Sequence, residues 1–316
     1  MTLKAFVTGG AGFIGSHIVD RLLEDKYEVT VLDNFSQGKL ANIAHLRRDA
    51  RFRYYRGDMT DGKLVAKLLR GYDVVFHVAA HANIRTSLVN HRADLDNNLI
   101  ATLNVLDAMV KNNVDDLVFA SSSAIYGEAT VRPTPESYMP VQTSLYGASK
   151  LACEAYAQAF VQISDINFWA YRFSNVVGER CRRGVTWDFV HKLAQNAREL
   201  EILGDGKQSK EYIHVLDCVE AMMVGYSKSA ERINTFNIAV EENLMVDEIA
   251  DLVTEEMELK GVKRSYTGGP RGWVGDNPIV HLSIAKLKSL GWVPKVSARE
   301  AVARTAKWTI SQLSRA

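Results

Sequence analysis

The chain has 316 residues, 47% of them hydrophobic and 24% charged, with a net charge of +1. That length and apolar share provide for a large core, in one domain with an added lobe or in two intimate domains. The near-neutral charge sets up no field for nucleic acid or a membrane surface. No long apolar span or leader pattern is visible, so the chain reads as cytoplasmic, with no nucleic-acid or membrane partner. Cys153, Cys181 and Cys218 lie far apart without paired spacing, which argues for a reducing compartment and against a disulfide framework or zinc site, and no metal is expected.

An apolar strand at 3–8 runs into Gly9-Gly10-Ala11-Gly12-Phe13-Ile14-Gly15 and then a helix over 12–25. Glycine lets the backbone turn tightly and approach a pyrophosphate, and the helix start offers N–H groups and a positive dipole end. A second strand, 28–33, ends in Asp33 and Asn34, about twenty residues past the glycines, where a carboxylate accepts from ribose hydroxyls and repels a 2′-phosphate. NAD is therefore favoured over NADP. A helix over 39–46 and a strand over 52–55 follow. Here Arg47, Arg48, Arg51, Arg53 and Arg56 interleave with Phe52, Tyr54 and Tyr55, a stretch read as a helix end and an edge strand with arginines outward rather than a nucleic-acid patch.

Helices over 60–70, 92–112 and 145–164 alternate with strands at 73–78, 115–121 and 167–173. Short apolar runs alternating with longer amphipathic segments imply a Rossmann-type doubly wound parallel sheet covered on both faces. The fifth strand ends in Ser121-Ser122-Ser123, and the last of these helices begins with Tyr146-Gly147-Ala148-Ser149-Lys150. Tyrosine and lysine four apart share a helical face, and an ammonium beside a phenol favours the phenolate, which suits a general base.

Beyond about residue 175 the alternation loosens: a helix over 189–198, a turn at Gly204-Asp205-Gly206, a strand at 212–215, a helix over 216–228, a strand at 235–238, a turn-rich loop over 268–278 and a closing helix over 298–313. The expected organisation is a first domain over 1–175, also receiving 212–240, and a smaller mixed α/β C-terminal substrate-binding lobe over 176–316.

Together these motifs make the chain resemble the extended short-chain dehydrogenase/reductases, in the nucleotide-sugar epimerase group typified by UDP-glucose 4-epimerase. The likeness spans nearly the whole chain. It runs through Gly57-Asp58-Met59, His77-Val78-Ala79-Ala80, Ser121 to Gly127, Tyr146 to Lys150, Arg172 to Gly178, Tyr212 to Asp217 and Gly275-Asp276. The resemblance implies NAD along Gly9, Gly12, Phe13, Ile14, Gly15, Asp33, Asn34, Asp58, Met59, Ala79, Ala80, Asn98, Tyr146 and Lys150. Ser122, Tyr146 and Lys150 are implied as the catalytic set. Ser122, Ser123, Asn175, Val185, Phe189, Lys210, Arg271 and Val280 are implied to meet a nucleotide-sugar, although Val185 and Phe189 also suit an ordinary core.

The implied reaction removes a hydroxyl proton through Tyr146, passes hydride to NAD, and reverses both on the opposite face of a transient 4-keto sugar. The most direct substrate is a UDP-hexose or UDP-N-acetylhexosamine. Uronate or C2/C3 epimerisation, reduction, and a non-catalytic NAD-binding scaffold remain as alternatives. A homodimer through the helices at 92–112 and 145–164 is also implied.

Three departures matter. Ser123 and Ala124 stand where dehydratases and decarboxylases carry acids. Lys210 replaces the usual diphosphate-clamping arginine and cannot form its bidentate fork. Arg271, or Arg180, Arg182 and Arg183, are read as compensation, the last three equally as a solvated loop. Val280, in place of a bulky tyrosine, leaves room for an N-acetyl group, while Arg85 is a candidate for a uronate carboxylate.

Overall fold

The computed structural model describes residues 2–82 and 87–313, so Arg85 lies outside the described residues. Contacts divide the chain into two units. The first comprises Met1–Ile125, Gln142–Arg172 and Met222–Phe236; the second comprises Tyr126–Val141, Phe173–Ala221 and Asn237–Ala316. The sequence expectation ran the first domain through 175. The contacts instead give 126–141 to the second unit and return only 222–236 to the first.

The first unit is built on a seven-stranded sheet of order β10-β6-β5-β4-β1-β2-β3. Its strands are β1 (Lys4–Thr8), β2 (Glu28–Asp33), β3 (Phe52–Arg56), β4 (Val74–His77), β5 (Asp116–Ser122), β6 (Asn167–Phe173) and β10 (Ile233–Ile238). β1 pairs in parallel with β2 and β4, β2 with β3, and β4 with β5. Strands covered on both faces need apolar residues at successive positions, and β4 is buried throughout while β1 is buried after its first residue. The helices are α1 (Phe13–Glu24), α2 (Gly62–Leu68), α3 (Ala101–Asn112), α4 (Leu145–Ile163) and α6 (Val215–Lys228), which begins in the second unit. Phe6, Leu32, Val75, Leu106, Leu117 and Phe168 belong to one core cluster.

The chain leaves β1 toward one edge and returns at β4 on its other side. Strand order reverses between β1 and β4, and ligands of such sheets bind at the carboxyl ends flanking that reversal. The glycine loop follows β1 there, and Ala79 and Ala80 follow β4.

Two expected helices are altered. In place of a helix over 39–46 stand two short 3-10 turns, Leu40–Asn42 and Ala44–Leu46. The Lys39 N–H and the Asn42 side chain both donate to the Ala11 carbonyl, at 3.0 and 2.9 Å, tying the segment to the glycine loop. The expected helix over 92–112 contains a π-helical stretch, Leu95–Ile100, ahead of α3. Such widened turns often mark functional positions, and this one carries the buried Asn98. β3 is the edge strand, with Arg53, Tyr54, Tyr55 and Arg56 exposed, and charge along an edge discourages further pairing.

The second unit has a three-stranded sheet, β11-β9-β7, and a two-stranded one, β12-β8. These use β7 (Asn175–Val177), β8 (Glu199–Ile202), β9 (Ser209–His214), β11 (Asn243–Met245) and β12 (Lys263–Tyr266). Helices α5 (Val185–Gln195), α7 (Val246–Glu256), α8 (Ala285–Ser289) and α9 (Ala298–Leu313) accompany them. α9 packs on α5, α7 and β9. α5 starts at Val185, not 189, because Gly184, at φ +87°, turns the chain directly into it.

Leu106 is fully buried in the first unit's core. Leu106→Ala should lower unfolding free energy by about 2–5 kcal/mol, measured by urea denaturation. A loss under ~1 kcal/mol would contradict this placement of the core.

Candidate active site

At the switch point the glycines leave no room for side chains. Gly9 sits at φ +67°, and a Cβ there would lie 2.8 Å from Ala79 backbone atoms; at Gly15 it would lie 2.2 Å from the Gly9 carbonyl oxygen. The loop, the segment after β4 and the first turn of α1 are therefore in direct backbone contact. Gly12 caps α1 without a side chain, and the first turn carries no acid. Its N–H groups face an approaching anion with no internal competitor.

Asp33 closes the other side. Its carboxylate accepts from the Ala11 N–H at 2.9 Å and the Phe35 N–H at 2.7 Å. Burial raises its pKa, while those two bonds oppose the shift. Asn34 donates to Asp58 at 2.8 Å. Burial pulls the Asp58 carboxyl upward, but bonds from Asn34 and Thr60 outweigh it and hold the carboxyl below its ordinary value. Met59 is buried, and its carbonyl accepts from Asn104 at 2.9 Å.

A buried chain of polar groups sets the loop after β4. Thr8 Oγ1 accepts from the N–H groups of Val78 and Ala79, both at 3.1 Å. Its lone pairs are thus used, so its hydroxyl donates to His77 Nδ1 at 2.7 Å. That assigns the His77 proton to Nε2, which donates to Thr102 Oγ1 at 3.0 Å, and Thr102 donates to Cys153 Sγ at 3.3 Å. Burial, aided by the charge of Lys150, lowers the His77 pKa to about 3, consistent with a neutral ring.

Ser122 ends β5, and Ser123 opens the 3-10 turn Ser123–Tyr126. Ser122 Oγ accepts from the Ala124 N–H at 3.1 Å, which leaves its own hydrogen to give. Ser144 caps α4 by accepting from the Gly147 N–H at 3.0 Å. A Cβ at Gly147 would fall 2.4 Å from the Ala124 carbonyl oxygen, so this glycine brings the turn that bears Tyr146 against the turn after Ser122. Tyr146 is partly exposed. One helical turn on, Lys150 is 2% exposed; its ammonium donates to the Ala120 carbonyl at 2.8 Å and lies 4.6 Å from the centre of the Phe119 ring. Burial lowers the Lys150 pKa to about 8, against the opposing pull of Cys153, Glu154 and Asp94. Asn98 donates to Ser149 Oγ at 2.9 Å and accepts from the His81 N–H at 2.7 Å. The structure thus gathers Ser122, Tyr146 and Lys150 at one end of β5.

In the second unit, Asn175 donates to the Glu211 carbonyl at 3.0 Å. Lys210 pairs with Asp276 at 2.5 Å. Arg271 pairs with Glu128 and donates to the Asp276 carbonyl at 3.1 Å. Both cations expected to face a diphosphate are thus held on acids, with Asp276 as the shared partner. Arg182 stacks on Trp308 at 5.2 Å. Phe189 is buried in the core and Val185 is half-buried. Val280 is half-buried, with its N–H donating to the Ser209 carbonyl and its carbonyl accepting from Asn243.

Sequence reasoning gave no role to Glu154 and Glu211 and met Arg172 only as the start of a motif. No spacing signals them, because each acts through a partner distant in the chain. No cluster of three or more His, Cys, Asp or Glu among the described residues has metal-binding geometry. No described helix is long and apolar enough to cross a membrane.

A glycine loop at the switch point, an acid ending the second strand and a Ser–Tyr–Lys set define a dinucleotide-dependent α/β enzyme. The profile of the NAD dependent epimerase/dehydratase family matches residues 5–239, and the chain belongs to that family. A relative from Methanocaldococcus jannaschii is 35% identical, the match covering 96% of this chain and 97% of its own length. The UDP-glucose 4-epimerase of Thermotoga maritima, solved with UDP-glucose, is 32% identical with a TM-score of 0.89, covering 98% of this chain and all of that one. The UDP-N-acetylglucosamine 4-epimerase of Methanobrevibacter ruminantium, solved with UDP-N-acetylmuramic acid, is 30% identical with a TM-score of 0.88, covering 99% and 100%.

Glu211 supplies a stability test. Its side chain is fully buried, with one oxygen accepting from the Leu282 N–H at 2.9 Å and His281 Nδ1 3.3 Å from the other. Burial pushes its pKa up to about 8. The folded chain therefore keeps this proton over an interval in which the unfolded chain has lost it. The stabilisation is full in acid and is lost as pH rises through that interval, at up to ~1.4 kcal/mol per pH unit. Between about pH 5 and about pH 8, wild type should lose a few kcal/mol more than Glu211→Gln. Parallel stability curves would show that Glu211 is not held protonated.

Proposed function

We propose that this enzyme is a 4-epimerase of UDP-linked hexoses, acting on UDP-glucose and UDP-galactose and on their N-acetylhexosamine counterparts. The observation that carries the reading is the anchoring of Lys150 to the β5 carbonyl beside Ser122, one turn from Tyr146. A scaffold needs the glycine loop but not this arrangement.

The residues present fit NAD. The cradle at Gly9 and Gly15 excludes any Cβ, and Asp33 keeps acceptor capacity for ribose hydroxyls. Gly12, Phe13 and Ile14 would hold the pyrophosphate, Asn34, Asp58 and Met59 the adenosine end, Ala79, Ala80 and Asn98 the length of the cofactor, and Lys150 the nicotinamide ribose. When bound, NAD supplies the acceptor that takes a hydride from the sugar carbon and gives it back to the other face.

This chain's own residues handle the proton. Tyr146, as phenolate, accepts it from the sugar hydroxyl and returns it, and Lys150 provides the neighbouring positive charge that favours the phenolate. Ser122 donates its hydroxyl hydrogen to the same sugar oxygen. Ser123, the next residue, is also assigned to the substrate. Holding the sugar against these groups supplies several kcal/mol of the acceleration, by order of magnitude. The turn Ser123-Ala124-Ile125-Tyr126 bears no carboxylate, which disfavours the dehydratase branch of the family.

In the second unit, Asn175 is assigned to the nucleotide-sugar, Val185 and the buried Phe189 to positions near the nucleotide, Lys210 and Arg271 to the diphosphate in exchange for their acidic partners Asp276 and Glu128, and Val280 to the space for an N-acetyl group. A homodimer is part of the reading: Leu95, Ile100 and Val110, and Leu145, Tyr156 and Ile163, leave apolar side chains exposed on the two long helical segments. A cytoplasmic setting agrees with three buried free cysteines.

Purified enzyme incubated with UDP-galactose and no reductant should yield UDP-glucose on chromatography. Tyr146→Phe should lose at least about a hundredfold in kcat while retaining NAD. Undiminished turnover in that variant would remove Tyr146 from the mechanism. UDP-N-acetylglucosamine should also be converted, and inertness of both N-acetyl epimers would overturn the role given to Val280.

A further inference from the structure

Behind the reacting groups lies a buried ion pair that the reaction as described does not use. Glu154 stands one turn past Lys150 on α4 and is 1% exposed; Arg172, on β6, is 7% exposed. Arg172 Nη2 donates to Glu154 Oε2 at 2.7 Å, and its Nε lies 3.1 and 3.3 Å from the two oxygens. Ser121, the residue before Ser122, donates its hydroxyl to Glu154 Oε1. Every group on the carboxyl is a donor, which is the environment of a carboxylate.

We propose that Glu154 is a positioning residue for the Ser122–Tyr146–Lys150 set, clamping α4 to the ends of β5 and β6 and serving as the buried counter-charge of Lys150. The inference rests on the reading of those three residues given under Proposed function. The covalent neighbours make the geometry effective. Ser121 adjoins Ser122, and the Lys150 ammonium is bonded to the carbonyl of Ala120, one residue further back. Glu154 and Lys150 thus grip successive residues of one strand end from successive turns of one helix. A side chain that only filled space would not need three donors from two strands.

Charged and polar groups from several elements surround Lys150. Tyr146, Cys153 and Glu154 share its helix, the charges of Lys150 and His77 of β4 act on one another, Asp94 acts from the segment before the π-helical stretch, β5 offers a carbonyl and a ring, and Arg172 of β6 is bonded to Glu154. Glu154 and Asp94 are the carboxylates among these groups; Glu154, one helical turn from Lys150, is also paired with Arg172, and Asp94 with His81.

The test compares Glu154→Gln, Glu154→Asp and Ser121→Ala in the NAD-loaded enzyme, reading kcat, KM and the pH profile of kcat with UDP-galactose. Glu154→Gln removes the charge, so the alkaline limb should move toward acid by about one pH unit, and kcat should fall on the order of a hundredfold with KM little changed. Glu154→Asp keeps the charge, so its limb should stay in place even where kcat falls. Ser121→Ala keeps the ion pair, so it should fold, and it should lower kcat severalfold without moving the limb. If Glu154→Gln does not fold, Ser121→Ala and Glu154→Asp decide the matter. Wild-type kcat in Ser121→Ala, a limb shift in Glu154→Asp equal to that in Glu154→Gln, or loss of thermal stability with an unmoved limb would each overturn the proposal. A wild-type enzyme inert on UDP-sugars fails the functional reading instead, and is seen before any variant is made.

Discussion

The buried ammonium of Lys150 is the constraint on which the rest of the site depends. An isolated charge in an apolar interior is prohibitively costly. This one is tolerated because a strand-end carbonyl, an aromatic face and nearby carboxylates surround it. The carbonyl and the ring both come from β5 and the carboxylates from α4 and the segment before α3, so these three elements must take their places together for the charge to be held. Tyr146 is set one turn away on the same helix, and Ser122 two residues beyond the anchoring carbonyl. Catalytic geometry and electrostatic tolerance are therefore one requirement, met by one packing arrangement.

The cofactor side follows the same economy. Backbone contact at Gly9, Gly15 and Ala79 joins the glycine loop to the segment after β4. Thr8 fixes that segment from beneath by accepting two of its N–H groups, and the hydroxyl hydrogen left over determines the tautomer of His77. Burial and the charge of Lys150 both hold His77 neutral, and the neutral ring avoids a second buried positive charge. A substitution that protonated His77 would disturb the loop after β4 and Lys150 at once.

Much of this was legible in the sequence because it is local. The glycine run, Asp33, the serine run and the Tyr146–Lys150 pair are contiguous motifs, and the alternation of strands and helices announced the doubly wound sheet. What escaped notice depended on distant partners. The 39–46 segment reads as helical, but Asn42 and Lys39 are claimed by Ala11, about thirty residues earlier. The π-helical turn that carries Asn98 has no period of its own. Glu154 looks like an ordinary residue, and Ser121 and Arg172 stand in motifs whose contact with it no spacing reveals, until the fold joins them. In the second unit, β7, β8, β11 and β12 were not anticipated, since short strands carry little hydrophobic signal, and α7 and α8 were passed over although Ile249, Ala250, Leu252 and Val253 give α7 a helical apolar face. Lys210 and Arg271 were identified as cations, but their acidic partners, Asp276 and Glu128, could not be paired with them by spacing.

The central claim of the proposed function is that the same hydrogen leaves and returns to one sugar carbon. It is tested most directly with UDP-galactose carrying deuterium at C4, followed by mass spectrometry and NMR of the product. The account predicts that the inverted sugar keeps its deuterium at C4, with none appearing in solvent and none gained from deuterated water. Exchange of that position with solvent would contradict it, showing that inversion proceeds by proton loss from carbon instead.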